Sequence, residues 1–150
     1  EYSSLDGASV RHDPVREITV QVRTLDEVVR CDDVDAIKID VEGAELAVIR
    51  GGRRLLEAQR PVVLFESAFA EANGLGFAAG DLWDELDGLG YDIVVPNRLA
   101  HDGPSLSREG FVESHAYPRR TTNYFGLPRD KRVEIRDRVR RAMGETRTPR

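Results

Sequence analysis

Hydrophobic and polar residues alternate early in the chain, where Ile18, Val20 and Val22 interleave with Thr19, Gln21 and Arg23. Period two predicts a half-buried strand. In Thr24-Leu25-Asp26-Glu27 a threonine precedes a glutamate three positions on. That is the capping-box order, and it predicts a short helix from Leu25 to about Cys31. Asp32, Asp33 and Asp35 make a polar turn. Ala36-Ile37-Lys38-Ile39-Asp40-Val41 is apolar at nearly every position, the pattern of a strand buried on both faces. Gly43 closes it, and a helix follows with Leu46, Ile49, Leu55 and Leu56 as its apolar positions. Gly51-Gly52 should bend or split that helix, and Arg60-Pro61 should end it. Val62 to Glu66 is a third strand. Asn73-Gly74 and Gly76 mark a loop. Asp81 is placed to cap a helix carrying Leu82, Trp83, Leu86 and Leu89, stopped by Gly90. Tyr91 to Val95 is a fourth strand, and Thr121 to Leu127 a fifth, with a long Gly-, Pro-, Ser- and His-containing loop between them. A last helix runs from about Asp130 to Met143, with Val133, Ile135 and Val139 on one side.

Strands alternating with helices imply parallel crossovers and a layered α/β sheet. The last two strands lack a predicted helix between them, so antiparallel pairing is expected there. At 150 residues the chain is about one domain, able to bury a real core. Hydrophobic residues make up 40% and charged residues 33%, which excludes wholesale disorder. No apolar run reaches the roughly 18 residues that cross a bilayer, and no N-terminal stretch has signal-peptide character. The single cysteine, Cys31, excludes an internal disulfide and has no companion at metal-ligand spacing. It is read as structural or incidental, and the expected compartment is a reducing cytoplasm. The opening residue Glu1 and the polar segment after it suggest a chain cut from something longer. Residues 129–150, a basic helix and tail, carry nine basic and four acidic side chains on an otherwise acidic chain. No aromatic residues interleave them, so a solvated helix is favoured over a nucleic-acid surface.

In open α/β sheets ligands lie beyond the carboxyl ends of the strands. Asp40 and Glu42 end the second strand and Glu66 ends the third. If those strands are neighbours, Asp40 and Glu66 face one crevice. Two carboxylates there can share a proton, orient a substrate hydroxyl or hold a hard cation such as magnesium. The competing reading has Glu66 paired with a basic group or capping a loop. Glu45, in a first helical turn, is explained by the helix dipole alone. His12, His101 and His115 are isolated loop residues; His101 or His115 could act as a base, but surface histidines are the simpler reading. Trp83 reads as core, and Tyr117 and Tyr124 as candidates to line an acceptor pocket.

The run Ile37-Lys38-Ile39-Asp40-Val41-Glu42-Gly43-Ala44-Glu45, then Val48-Ile49-Arg50-Gly51-Gly52, Pro61 and Phe65-Glu66, resembles the central signature of the FkbM-family methyltransferases. Thr24-Leu25-Asp26, Asn123-Tyr124-Phe125 and Leu127-Pro128 are similar to its flanking pieces. The resemblance spans Ser3 to Lys131 and is specific only in its core. It implies a Rossmann-like class I methyltransferase sheet, mostly parallel with an antiparallel final strand, and only its C-terminal half. It implies methyl transfer from S-adenosylmethionine to an oxygen of a small molecule or sugar. By the resemblance Asp40 and Glu66 are the catalytic candidates, and Asp40 and Glu42 the cofactor-binding ones. Magnesium is a weaker implication, and no metal-binding residue is assigned.

The family's upstream glycine-rich loop has no equivalent here. Gly74, Gly76 and Gly80 do not follow a strand and open a helix. The expectation is therefore a partial domain lacking its N-terminal cofactor-binding strands, inactive as a fragment. The alternatives are a non-catalytic α/β binding module or an inactive remnant. The expected partner is a small-molecule methyl acceptor, with neither nucleic acid nor membrane.

Overall fold

The computed structural model describes residues 19–68, 77–116 and 121–144. Among the described residues four strands form one sheet: β1 (Ala36–Ile39), β2 (Val62–Glu66), β3 (Tyr91–Val94) and β4 (Asn123–Pro128). Their spatial order is β1-β2-β4-β3. β1 and β2 pair in parallel, whereas β4 pairs antiparallel with both β2 and β3. Three strands thus run one way, and the last is inserted between the second and third in the opposite sense. The mixed α/β sheet with an antiparallel final strand is as expected, and it is compatible with a Rossmann-like fold.

The helices are α1 (Leu25–Val28), α2 (Glu45–Gly51), α3 (Arg53–Gln59), α4 (Ala79–Gly88), α5 (Arg108–Glu113) and α6 (Arg132–Ala142). Gly51-Gly52 does divide α2 from α3. Packing adds a second reason for the pair. A β-carbon at Gly52 would sit 3.0 Å from the Leu25 side chain, and one at Gly51 3.3 Å from Thr24. The glycines let α1 lie directly on the helix junction. Arg60, before Pro61, takes a left-handed conformation (φ 55°) that ends α3. Its guanidinium donates to the carbonyls of Leu89 and Gly90 and lies 4.7 Å over the Tyr91 ring. This staples the amino ends of β2 and β3 together.

Several expectations fail for identifiable reasons. Residues 19–22 form no strand; Val20 and Val22 are exposed, and among the described residues no strand lies beside them to pair with. Ile18 lies outside the described residues. α1 stops at Val28 rather than Cys31, since β-branched Val28 and Val29 disfavour continuation. β1 and β2 are not buried on both faces: Ile39, Val63 and Phe65 are buried, while Lys38 is exposed and Val62 and Leu64 are half-buried. The described helices cover one face. Asp81 is not the cap of α4 but its third residue, and its carboxylate accepts the Ala78 N–H at 3.0 Å. The loop before β4 contains α5, capped by Ser107, whose Oγ accepts the Gly110 N–H at 3.1 Å.

The core lies between the sheet and the helices. Ile39, Val63, Phe65, Tyr91, Ile93 and Tyr124 meet Leu46, Ile49, Leu56, Leu82, Leu86 and Phe111. Trp83 packs at the edge of this core, as expected, with Nε1 donating to the Leu106 carbonyl at 3.0 Å. The basic helix α6 is held by acidic residues of the body. Arg132 pairs with Asp92, Arg136 with Asp102, and Arg140 with Asp102 and the Ala100 carbonyl.

Candidate functional site

The carboxyl ends of β1 and β2 lie side by side. Ile39 pairs with Phe65, and the next residues in each strand direction are Asp40 and Glu66. The structure therefore brings these two carboxylates to neighbouring positions on one edge. Asp40 accepts from Lys38 Nζ at 2.6 Å and its side chain is 41% exposed. The carboxylate is thus partly open to solvent and held by a neighbouring cation of its own strand. Glu66 is half-buried and lies opposite Asn123 of β4.

The turn after β1 is strained. Glu42 has φ 50° and Gly43 φ 100°. A left-handed non-glycine residue costs roughly 1–2 kcal/mol, and such strain gathers at functional sites. The turn delivers the chain into α2 with Glu45 buried, 6% exposed, its Oε1 accepting the Gly43 N–H at 3.1 Å. A helix dipole alone does not account for a buried carboxylate.

Pleating separates the edge residues. Lys38 and Asp40, and Leu64 and Glu66, belong to the face away from the helices; Phe65 and Ser67 belong to the helical face. Ser67 continues the ladder, its N–H donating to the Thr122 carbonyl at 2.8 Å. Its Oγ lies 2.8 Å from His115 Nε2, and His115 Nδ1 lies 2.8 Å from the Phe111 carbonyl. His115 is 5% exposed and stacks with Tyr124 at 5.5 Å between ring centres. It is no surface loop histidine: it follows α5 immediately and is packed in the aromatic cluster. Tyr124 is wholly buried, which removes it as a pocket-lining residue. Its hydroxyl lies 2.7 Å from Ser114 Oγ, which donates to the Phe111 carbonyl at 2.6 Å. His101 is exposed; His12 and Tyr117 lie outside the described residues.

A cavity of about 20 Å³ opens at this edge, lined by Gly43, Glu45, Ser67, Phe77 and Leu82 among others. A larger hollow of about 230 Å³ lies between α2, α3 and α4, walled by Arg50, Arg53, Asp81, Asp84 and Glu85. Its charges are already committed, Glu85 pairing with both arginines. Among the described residues no three His, Cys, Asp or Glu side chains gather into a metal site. The edge offers carboxylates to a ligand hydroxyl or cation. The cavity beside it is far too small for S-adenosylmethionine, so the residues described do not by themselves house that donor. Ser67 is the residue of this edge that the sequence reading did not single out; Glu45 reads there as a helix-dipole residue and His115 as a surface histidine, and both are buried instead. The signal for Ser67 was its place just past a buried strand.

The paired carboxylates and the strained turn lie at the carboxyl edge of the parallel strands, where open α/β sheets bind their ligands. The family model for the methyltransferase FkbM domain matches residues 2–93, and the chain belongs to the FkbM methyltransferase family. The match includes the Asp40 and Glu66 segments and ends within β3, so the resembling pieces in β4 lie outside it. No curated protein and no solved structure matches the chain. Among the described residues no helix is long and apolar enough to cross a membrane.

Proposed function

We propose that this domain transfers a methyl group from S-adenosylmethionine to a hydroxyl of a small molecule or sugar. We further propose that these residues supply the acceptor side of the site, with the donor's glycine-rich loop lying outside them. The supporting observation is that the family-matched segment places Asp40 and Glu66 next to each other at the sheet's carboxyl edge. A methylsulfonium is already activated, so holding the acceptor oxygen in line with the methyl supplies much of the rate. Asp40 and Glu66 would orient the acceptor by accepting its hydroxyl protons. Asp40 and Glu42, at the strained turn, would also face the donor. Lys38 holds the Asp40 carboxylate in place and matches its charge, which suits orientation.

The test is methyl transfer by the full-length protein carrying this sequence, from isotopically labelled S-adenosylmethionine to a panel of monosaccharides. Asp40→Asn keeps shape but loses charge, and turnover should fall about 10²-fold without unfolding. Glu66→Gln should do less if it only supports Asp40. Turnover in Asp40→Asn within a few-fold of the parent would remove Asp40 from the site. A chelator should leave the rate unchanged unless the pair holds a cation, in which case Glu66→Gln and chelation act alike.

A further inference from the structure

Among the described residues Glu45 is the one buried carboxylate, and it has no counter-charge. Its Oε1 accepts the Gly43 N–H at 3.1 Å, and the carboxylate makes no other hydrogen bond and no ion pair. Arg50, five residues on in the same helix, turns elsewhere: it donates to Glu85 at 3.0 Å and lies 5.7 Å from the Phe77 ring centre. A buried charge met by a single backbone donor is costly, and a cation or further donors reduce that cost. No fully buried side-chain oxygen among the described residues lacks a partner, so the unbonded Oε2 meets open space. The space that Glu45 lines is the cavity of about 20 Å³ at the carboxyl edge, which it shares with Ser67 and Phe77. The rest of that lining is Gly43 and small or apolar residues, with no cationic side chain among those described. Ser67 Oγ lies 2.8 Å from His115 Nε2. A hydroxyl has two lone pairs and one proton, so whichever of the two groups donates, the serine oxygen keeps a lone pair for a further donor. A volume of about 20 Å³ holds one group the size of a water molecule.

We propose that this cavity is a binding site for the primary ammonium group of an amine-bearing ligand. Glu45 takes the charge through a charge-assisted hydrogen bond, Ser67 Oγ accepts a second N–H, and the Phe77 ring forms an aromatic wall. A water molecule fits the volume but leaves the Glu45 charge unmatched, whereas an ammonium of the same size brings three donors and the opposite charge. A hard metal ion fits less well, because it takes six or more oxygens and one carboxylate with one hydroxyl supplies too few. A guanidinium or a quaternary ammonium exceeds the volume. The site goes beyond methyl transfer and stands without it: Asp40 and Glu66 belong to the other face of the sheet, and no bond is made or broken in the cavity.

The test uses the whole chain, with methylammonium chloride as the probe and no methyl donor, so its outcome is separate from that of the methyl-transfer reading. Glutamate side chains are labelled with ¹³C at the carboxyl carbon, and Glu45→Gln assigns the Glu45 resonance. That resonance should shift saturably with methylammonium, with a Kd no tighter than about 6 mM, the ceiling for a ligand of two heavy atoms. Sodium chloride, tetramethylammonium and methanol at equal concentration should leave it in place, since none brings both the charge and the N–H donors. Saturation transfer from the protein to the probe's methyl group gives a second reading, which should vanish in Glu45→Gln. Ser67→Ala leaves the carboxylate in place and should weaken methylammonium binding about tenfold, so it carries the test even if Glu45→Gln does not fold. An equal shift with tetramethylammonium would reduce the effect to ionic screening, and an equal shift with methanol would make the cavity a water site only. Either result, no response at molar methylammonium, or undiminished binding in Ser67→Ala would overturn the proposal.

Discussion

Residues at strand ends were readable in the chain, and residues joined by long-range contacts were not. Asp40 and Glu66 stand out because each is the first carboxylate after an apolar run. Their adjacency needed only the parallel pairing that alternating strands and helices imply. The Ser67–His115 bond spans 48 residues of chain, and nothing local to either residue announces it. Tyr91 shows the same limit. It reads as the start of a strand, yet it is 1% exposed under Arg60, with its hydroxyl donating to the Leu56 carbonyl at 3.3 Å. Burial pushes its pKa up to about 12; the Arg60 charge opposes this and Asp130 adds to it. The neutral phenol is the form the core accepts. Its contribution to stability is intact below the ordinary tyrosine value of about 10 and is lost as pH rises through about 12. Urea unfolding of the chain should therefore show stability falling across that window. Tyr91→Phe keeps the ring, costs about 1 kcal/mol at neutral pH for the lost bond, and should flatten the alkaline fall. An unchanged alkaline profile in that variant would show that the phenol titrates alike in the folded and unfolded states.

Elements were legible where a stop signal coincided with a change of period. β2 runs over the predicted residues, and Gly51-Gly52 separates α2 from α3 where two glycines interrupt the apolar stripe. α5 was missed because it is short and stands inside a Gly- and Pro-rich loop. Its cues were only a capping serine and Phe111. The Thr24 region was readable as a helix start, and Glu27 does accept the Thr24 N–H at 3.0 Å. Its larger role was hidden. Asp26 reaches across to α3 and accepts the N–H groups of Arg54 and Leu55, each at 3.0 Å. The first amides of a helix lack partners within it, so α1 caps α3 from a distance. Partial burial works to raise the Asp26 pKa, but the Leu55 and Arg54 amides and the Arg54 guanidinium outweigh it, and the net shift is downward. A lowered carboxylate pKa stabilises the fold above the ordinary aspartate value near 4, and that stabilisation is lost as pH falls through the lowered value. Asp26→Ala should cost about 1–2 kcal/mol at neutral pH and less once the Asp26 carboxyl is protonated in the folded and unfolded states alike. Denaturant melts of the two proteins should thus converge in acid; parallel melts at every pH would show that the cap contributes no charge-dependent stability.

At the scale of the whole molecule, the sheet's sidedness governs behaviour. Layering was readable from strands alternating with helices, but the pattern of β1 and β2 overstated their cover. Continuous apolar runs predict burial on both faces, whereas the described helices occupy one. Val62, Leu64 and Phe125 are left half-buried on the other face, and β1 pairs with β2 on one side only among the described strands. An edge strand with unpaired N–H and C=O groups is a template for further pairing, and an apolar face beside it strengthens the attraction. The local safeguards are modest: β1 is four residues long, and it carries one lysine, Lys38, whose charge is matched by Asp40. α6 does not help, since Arg132, Arg136 and Arg140 tie it to Asp92 and Asp102 at the far side of the sheet. The 150-residue chain should therefore self-associate as its concentration rises and bind an apolar dye while its secondary structure is intact. Sedimentation velocity across a concentration series measures the first, and dye fluorescence the second. Leu64→Lys, which charges the open face without touching the helical core, should weaken association and dye binding together. A monomer at every concentration, with no dye binding and a sharp two-state urea transition, would show that the face and edge are closed within the chain itself.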